Sequence, residues 1–115
     1  MKKSLTIKIN STYKYLQVWN GIFNLTNKEL EVLSILIDVQ DISKEKNISS
    51  MFNKREVANI LLIKDPNTLN NYIKKFKDKG VLILKNATYT LNGLLNPNTK
   101  KVEITLVKSW EYQKE

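Results

Sequence analysis

The chain has 115 residues and a formal net charge of +8, and it contains neither cysteine nor histidine. This length suits one compact domain, and the missing residue types exclude disulfides, cysteine–histidine zinc sites and histidine general bases. No apolar run approaches the roughly 20 residues that span a bilayer, and residues 5–10 alternate in polarity rather than forming a signal-peptide core. We therefore expect a cytoplasmic protein of a bacterial cell or a phage-infected host, with no membrane partner, metal or cofactor.

Positive charge is concentrated in the middle of the chain. Residues 53–101 hold nine lysines and one arginine against three carboxylates, whereas residues 1–40 hold five lysines against three carboxylates. A local excess of this kind favours a region that binds a polyanion. The alternative is that an A·T-rich coding sequence supplied the many lysines and asparagines, which composition by itself does not separate from a function in nucleic-acid binding.

Residues 1–25 are predicted to be an N-terminal extension with a short strand and a helix. Alternation of apolar and polar residues over 5–9 indicates the strand. Residues 13–23 fit either an extended pattern or a helix, and the helical spacing of Leu16, Trp19 and Phe23 favours the helix.

Residues 26–80 are predicted to be a helical core, whose first helix covers 27–39. Thr26 and Glu29 form a capping box at its start. The helix carries two apolar stripes, consisting of Leu30, Leu33, Leu36 and Ile37 and of Val32, Ile35 and Val39. Two apolar sides imply packing on two sides, and we expect the N-terminal extension to cover one and the following helices the other. A dimer interface is the alternative use of the second stripe.

The second helix is predicted over 54–63, after a polar loop at 41–50 and a short strand at 50–52 that could extend a later hairpin. Asn53 and Glu56 suggest a second capping box. Asp65 precedes a proline and is therefore disfavoured in a helix, so the second helix ends near Lys64.

A third helix is predicted over 66–79, with Asp65 as its cap and Pro66 in its first position. Leu69, Ile73 and Phe76 form its buried stripe, with Tyr72 at the edge. Gly80 ends the helix in the left-handed conformation that glycine tolerates.

Residues 81–108 are predicted to be a β-hairpin, and residues 109–115 a tail in which Trp110 and Tyr112 fold back onto the core. Residues 81–84 form one strand, 89–91 a short extended piece and 101–108 the returning strand. Asn92-Gly93 and Asn96-Pro97-Asn98 are typical of turns, which places Lys100 and Lys101 at the hairpin tip and Lys85 and Asn86 at its near end.

In a winged helix-turn-helix, two helices are joined by a tight turn and followed by a β-hairpin, and the predicted elements have this order. Residues 26–107 resemble that fold as found in MarR-like bacterial regulators. The run Gly80-Val81-Leu82-Ile83, with Tyr89-Thr90-Leu91-Asn92 and Asn96-Pro97, is also similar to the winged-helix part of plasmid and phage replication proteins. The expected fold is therefore α+β, with a three-helix core, a hairpin wing and an N-terminal strand and helix. MarR-like proteins end in a long dimerising helix, which residues 109–115 are too short to form.

The resemblance implies that helix 66–79 enters the major groove of double-stranded DNA, the expected partner. If the stripe at Leu69 is buried, the opposite side of the helix is free, and asparagine pairs with adenine whereas lysine neutralises phosphate. The residues predicted to contact base edges are Asn67, Thr68, Asn70, Asn71 and Lys74. The residues predicted to contact phosphate are Lys54, Arg55, Lys75, Lys77, Lys85, Lys100 and Lys101. Solvated helix surfaces and basic loop tips are the alternative interpretation of both sets.

No catalytic motif is present, so we expect a protein that is not an enzyme and has no small-molecule substrate. The carboxylates show no metal-site spacing, and Glu29, Glu56 and Asp65 are explained as caps. The leading hypothesis is a sequence-specific transcription regulator. The alternatives are a replication module that binds an origin, and a phage protein that uses the fold to bind a protein, as inhibitor, assembly factor or virion component. A homodimer is also compatible with the sequence.

Overall fold

A computed structural model describes residues 9–98 of the chain. Within that range the elements confirm the α+β class: four α-helices precede a two-stranded antiparallel hairpin. The elements are α1 (Thr12–Phe23), α2 (Asn27–Ser43), α3 (Met51–Leu61), α4 (Pro66–Asp78), β1 (Leu82–Lys85), β2 (Thr88–Leu91) and a short 3-10 turn (Gly93–Leu95). This layout is compatible with a winged helix. In this part of the chain, no helix combines the length and apolarity needed to cross a bilayer.

Helix α1 confirms the helical interpretation of its segment. The Ser11 side chain accepts a hydrogen bond from the Lys14 backbone N–H at the start of the helix. Asn24 takes a left-handed conformation (φ 55°) that ends it, as asparagine does more readily than most residues. Leu16 and Trp19 face the core, so α1 packs on α2 through one side.

Helix α2 lies at the centre of the core. The predicted capping box is present, because the Thr26 side chain accepts from the Glu29 backbone N–H and the Glu29 carboxylate accepts from the Thr26 backbone N–H. The helix contacts α1 on one side and α3 on the other, as expected. Both apolar stripes are buried except Ile35, which is half-buried. The helix continues to Ser43 rather than ending near residue 39, because neither glycine nor proline interrupts it before the left-handed cap at Lys44.

The predicted start of the second core helix is wrong by one turn. Helix α3 begins at Met51, with Ser50 as its cap, so residues 50–52 are not a strand. Asn53 is not a cap but a buried residue inside the helix, with none of its surface exposed. Its carboxamide accepts from Ser43 Oγ (2.7 Å) and donates to the Ile48 carbonyl (3.1 Å). Partners elsewhere in the fold therefore satisfy the side chain that the sequence pattern assigned to the helix end.

The loop between α2 and α3 supplies the contact with the hairpin that residues 50–52 were predicted to make. The Ile48 backbone N–H donates to the Tyr89 carbonyl (3.0 Å). The Tyr89 N–H donates to Asn47 Oδ1 (3.1 Å). Because Ile48 is also fully buried, this loop fastens β2 to the helical core.

Helix α4 begins and ends as predicted. Asp65 accepts from the Asn67 backbone N–H, and Pro66 occupies the first turn. At the other end Gly80 is left-handed (φ 78°), and the Val81 N–H donates to the Phe76 carbonyl (2.8 Å). This 6→1 hydrogen bond, with a left-handed glycine, is typical of the Schellman motif that ends a helix. The chain then enters β1 directly.

The hairpin differs from the predicted one. β1 pairs with β2, from Leu82 opposite Leu91 to Lys85 opposite Thr88, so the turn consists of Asn86 and Ala87. Both turn residues are left-handed, with φ of 53° and 60°, which is typical of a type I′ turn. Lys85 and Asn86 therefore lie at the hairpin tip and not at its near end. The predicted strand at 101–108, the tail at 109–115, Lys100 and Lys101 lie outside the described residues, and so does the predicted strand at 5–9 except for Ile9.

Candidate nucleic-acid interface

Within residues 9–98, one side of α4 is exposed. Leu69, Ile73 and Phe76 are buried, with exposed fractions of 2%, 5% and 0%, so the remainder of the helix surface points away from the core. The exposed polar residues on this side define the α4 face: Asn67, Thr68, Asn70, Asn71, Lys74, Lys75, Lys77 and Asp78. The structure thus places together, on one continuous surface, all five residues predicted to contact base edges and two of those predicted to contact phosphate.

The α4 face has a centre and two flanks. Successive residues of a helix are rotated by about 100°, which places Asn67, Asn71 and Lys74 opposite the buried stripe. Asn70 and Lys77 lie on the flank next to α3. Lys75 lies on the other flank, where its Nζ is 5.9 Å from the centroid of the Tyr72 ring. The same rotation places Asp78 at the centre, in the last turn of the helix, so the centre carries two amides, one cation and one carboxylate, and both flanks carry cations.

Helix α3 contributes a second cationic row beside the α4 face. The Lys54 Nζ donates a hydrogen bond to Asn70 Oδ1 at 3.3 Å, which links the two helices at their exposed surface. A depression of about 250 Å³ lies between them, with Ala58, Pro66 and Leu69 among its apolar lining residues. Lys54, Arg55 and Asn70 also line it. Its composition suits a group with an apolar part and an anionic or hydrogen-bond-accepting part.

The predicted position of Lys54 and Arg55 at the start of a helix is wrong. These residues were expected at the start of a helix, where backbone N–H groups are free, but they lie one turn inside α3. The Lys54 backbone N–H donates to the Ser50 carbonyl (2.8 Å) and is unavailable to a ligand. Only the side chains remain as donors, and the Arg55 side chain is exposed whereas Lys54 is half-buried.

The basic residues of α3, α4 and the hairpin carry no ionic partner within residues 9–98. The ion pairs in that range are Lys28–Glu31, Lys44–Asp41 and Lys79–Glu29. None of them includes Lys54, Arg55, Lys74, Lys75, Lys77 or Lys85. Cations without an ion-pair partner attract an anion more strongly than paired ones do, because a paired carboxylate lowers the local potential.

Among the lysines between α3 and residue 98, Lys79 is the exception, and its role is structural. Its ammonium donates to Glu29 Oε1 (3.0 Å) and to the Asn24 carbonyl (2.9 Å). Burial by itself would raise the pKa of Glu29, but the Thr26 backbone N–H and the Lys79 ammonium outweigh it. The pKa of Glu29 consequently lies below its ordinary value of 4.5. Lys79 thereby leaves the set of cations available to a ligand.

Carboxylates collect at a different place, around a depression of about 490 Å³ between α2 and the segment after β2. Asp38, Asp41 and Glu45 line it, and the Thr12 hydroxyl donates to Asp38 Oδ1 (2.6 Å). In the described part of the chain, these and the other carboxylates form no cluster of three or more groups able to hold a metal ion. These three carboxylates lie on α2 and in the loop after it, and none of them belongs to the α4 face.

Comparisons with protein-family models, with curated proteins and with solved structures give no match to this chain. The chemistry of the α4 face is therefore the basis on which function is proposed.

Proposed function

We propose that this protein is a winged helix-turn-helix protein that binds double-stranded DNA sequence-specifically, with α4 in the major groove. The observation that carries the proposal is the α4 face, an exposed helix surface with three asparagines, one threonine and three lysines against one carboxylate, Asp78, which forms no ion pair with them in residues 9–98. A phosphate backbone supplies the matching negative charge, and base edges supply partners for the amides.

The connection between α3 and α4 supports the proposal. Residues 62–65 join the two helices, and the hairpin follows α4 directly through Gly80. In a helix-turn-helix the second helix enters the groove and the first lies across the backbone. Arg55 and Lys54 on α3 then face a phosphate strand beside the helix that reads the bases. Lys85, exposed at the hairpin tip, is proposed to contact the DNA backbone from the wing.

The roles of the side chains follow from their positions on α4. Asn67 and Asn71, one turn apart at the centre of the face, are proposed to read base edges together with Lys74. Lys75 and Lys77 on the flanks are proposed to neutralise phosphates, as are Lys54, Arg55 and Lys85. Contacts of the first group would determine sequence preference, and contacts of the second would contribute affinity without preference.

A transcription regulator is the biological role we propose, acting by occupying a promoter or an operator. Reading several neighbouring bases with one helix is what such a role requires. A protein that binds a replication origin would contact DNA through the same α4 face. The two roles would be distinguished by selecting the DNA sequence that the protein prefers and locating that sequence in the genome.

The experiment that tests the proposal is a salt titration of binding to duplex DNA. Fluorescence anisotropy with a mixed-sequence duplex should detect binding at about 50 mM salt. If about five phosphates are neutralised, log K should fall with log [salt] at a slope of about −4 to −5. An absence of measurable binding to any duplex at that salt concentration would refute the proposal and favour a protein partner for the fold.

A further inference from the structure

The hydrogen bond between Lys54 and Asn70 fixes which end of the Asn70 carboxamide is free. A lysine ammonium has three donors and no acceptor, so the atom that faces Lys54 must be the amide oxygen. The Lys54 Nζ to Asn70 Oδ1 distance is 3.3 Å. The Asn70 amide nitrogen consequently points away from Lys54, and its two N–H donors are presented to the exposed surface.

The environment of Lys54 favours this pairing. Lys54 is half-buried and lines the depression between α3 and α4 together with Ala58 and Leu69, so its aliphatic stem has apolar neighbours. Within residues 9–98 it has no carboxylate partner that would draw the ammonium away from Asn70. Asn67 and Asn71 differ from Asn70, because no described residue forms a hydrogen bond with either of their carboxamides.

This difference matters for reading bases. An asparagine recognises adenine by accepting from N6 with its oxygen while donating to N7 with its nitrogen. At Asn70 the oxygen already accepts from an ammonium, and the adenine amino group would be placed beside that cation. Guanine instead presents two acceptors, O6 and N7, on its major-groove edge. Two adjacent donors, Lys54 Nζ and Asn70 Nδ2, complement that edge.

We infer that Lys54 and Asn70 act as one donor pair that selects guanine over adenine at a single base pair of the DNA site. The inference rests on the proposed function, since it assumes that the α4 face meets a duplex. Lys54 acts here as a specificity-determining residue, in addition to any contact with phosphate, and Asn70 reads an acceptor edge whereas Asn67 and Asn71 stay able to read adenine.

The test compares base preference between variants of the full chain. Duplexes bound by the wild type are first selected from a randomised pool. Affinities are then measured for the selected duplex and for versions with each guanine changed to adenine. For the wild type, one such change should weaken binding by at least about fivefold. That discrimination should disappear in Lys54→Met and in Asn70→Ala, and it should persist in Lys54→Arg, which retains the donors.

Arg55→Met is the matched control, because it removes a cation from the same depression without touching Asn70. It should weaken all duplexes alike and leave the guanine preference unchanged. The inference is wrong if Lys54→Met behaves like Arg55→Met, or if no guanine position depends on Asn70. A wild type that binds no duplex overturns the proposed function itself, which is a separate outcome. Circular dichroism of each variant confirms that the fold is retained.

A second measurement examines the pair without DNA. In the NMR spectrum of the free protein, the Asn70 side-chain amide signals should shift in Lys54→Met, whereas those of Asn67 and Asn71 should not. If the signals of Asn70 stay unchanged in that variant, the pair is not formed in solution and the inference is refuted.

Discussion

Lys79 and Glu29 join the C-terminal end of α4 to the first turn of α2, with 3.0 Å between Nζ and Oε1. The Glu29 side chain is 5% exposed and the Lys79 side chain 33%. Lys79 also donates to the carbonyl of Asn24, which ends α1. One ammonium thus connects the end of α4 with α2 and with the end of α1.

Replacing Lys79 by Met should lower the free energy of unfolding by about 1–2 kcal/mol at pH 7. The change leaves the Glu29 carboxylate buried without its cation, but a third of the lysine side chain is in water, which reduces the effect below that of a fully buried pair. Urea denaturation measures the difference. Lys28→Met is the control, because the Lys28–Glu31 pair is about half exposed. It should change stability by at most about 0.5 kcal/mol.

The same ion pair predicts a pH dependence. The pKa of Glu29 is lower in the folded protein than its ordinary value of 4.5, so its ionised form favours the folded state. This contribution is fully present above pH 4.5 and is lost as pH falls through the lowered value. Glu29→Gln retains a capping side chain and should show a shallower loss of stability in that acidic range. An equally steep loss in the variant would show that Glu29 is not a source of the acid sensitivity.

Asn53 should be one of the most sensitive polar positions in the core. Asn53→Ala removes the partners of the Ser43 hydroxyl and the Ile48 carbonyl in a site with no exposure to water. Leaving buried polar groups unsatisfied costs about 1–3 kcal/mol, so we expect a loss of about 2–3 kcal/mol. Asn59→Ala on the exposed side of the same helix should be within about 0.5 kcal/mol of the wild type. Thermal denaturation of both variants gives the comparison, and equal effects would contradict the proposed role of Asn53.

The hairpin turn should be stabilised by Ala87→Gly. Ala87 is left-handed (φ 60°) at the second position of the turn, where glycine pays no steric penalty. We expect a gain of about 0.5 kcal/mol, since the greater freedom of glycine in the unfolded chain offsets part of the relieved strain. Ala87→Val should instead destabilise the protein, because a β-branched residue tolerates positive φ poorly. If calorimetry finds a higher melting temperature for Ala87→Val than for Ala87→Gly, the turn is formed differently in solution.

The flanks of the α4 face should control the salt dependence of DNA binding. A double substitution, Lys75→Met with Lys77→Met, removes two proposed phosphate contacts. The slope of log K against log [salt] should become less negative by about 2, with affinity reduced for all sequences alike. Lys44→Met is the control, because Lys44 lies 3.9 Å from Asp41 beside the acidic depression. Lys44→Met should leave the slope unchanged. A similar change of slope in Lys44→Met and in the double variant would indicate a general effect of net charge rather than contacts at this interface.

Three features that depend on near neighbours in sequence were predicted correctly. The Thr26–Glu29 capping box, the Asp65–Pro66 start of α4 and the left-handed Gly80 all involve groups within one helical turn of each other. The buried stripe of α4 follows from its spacing, so its free side follows as well. The sequence by itself therefore determined which surface could meet a ligand.

The tertiary structure decided what distant residues do to one another. Asn53 resembled a helix cap in sequence, yet the chain path brings Ser43 and Ile48 to its side chain and buries it. The turn at Asn86–Ala87 contains neither glycine nor proline. Residues 92–98 contain both, and the hairpin tip was therefore predicted there instead. Lys79 and Glu29, fifty residues apart, and Lys54 and Asn70, on different helices, meet only after the helices have packed. A local pattern records which groups are close along the chain, whereas these pairs depend on where packing places each helix.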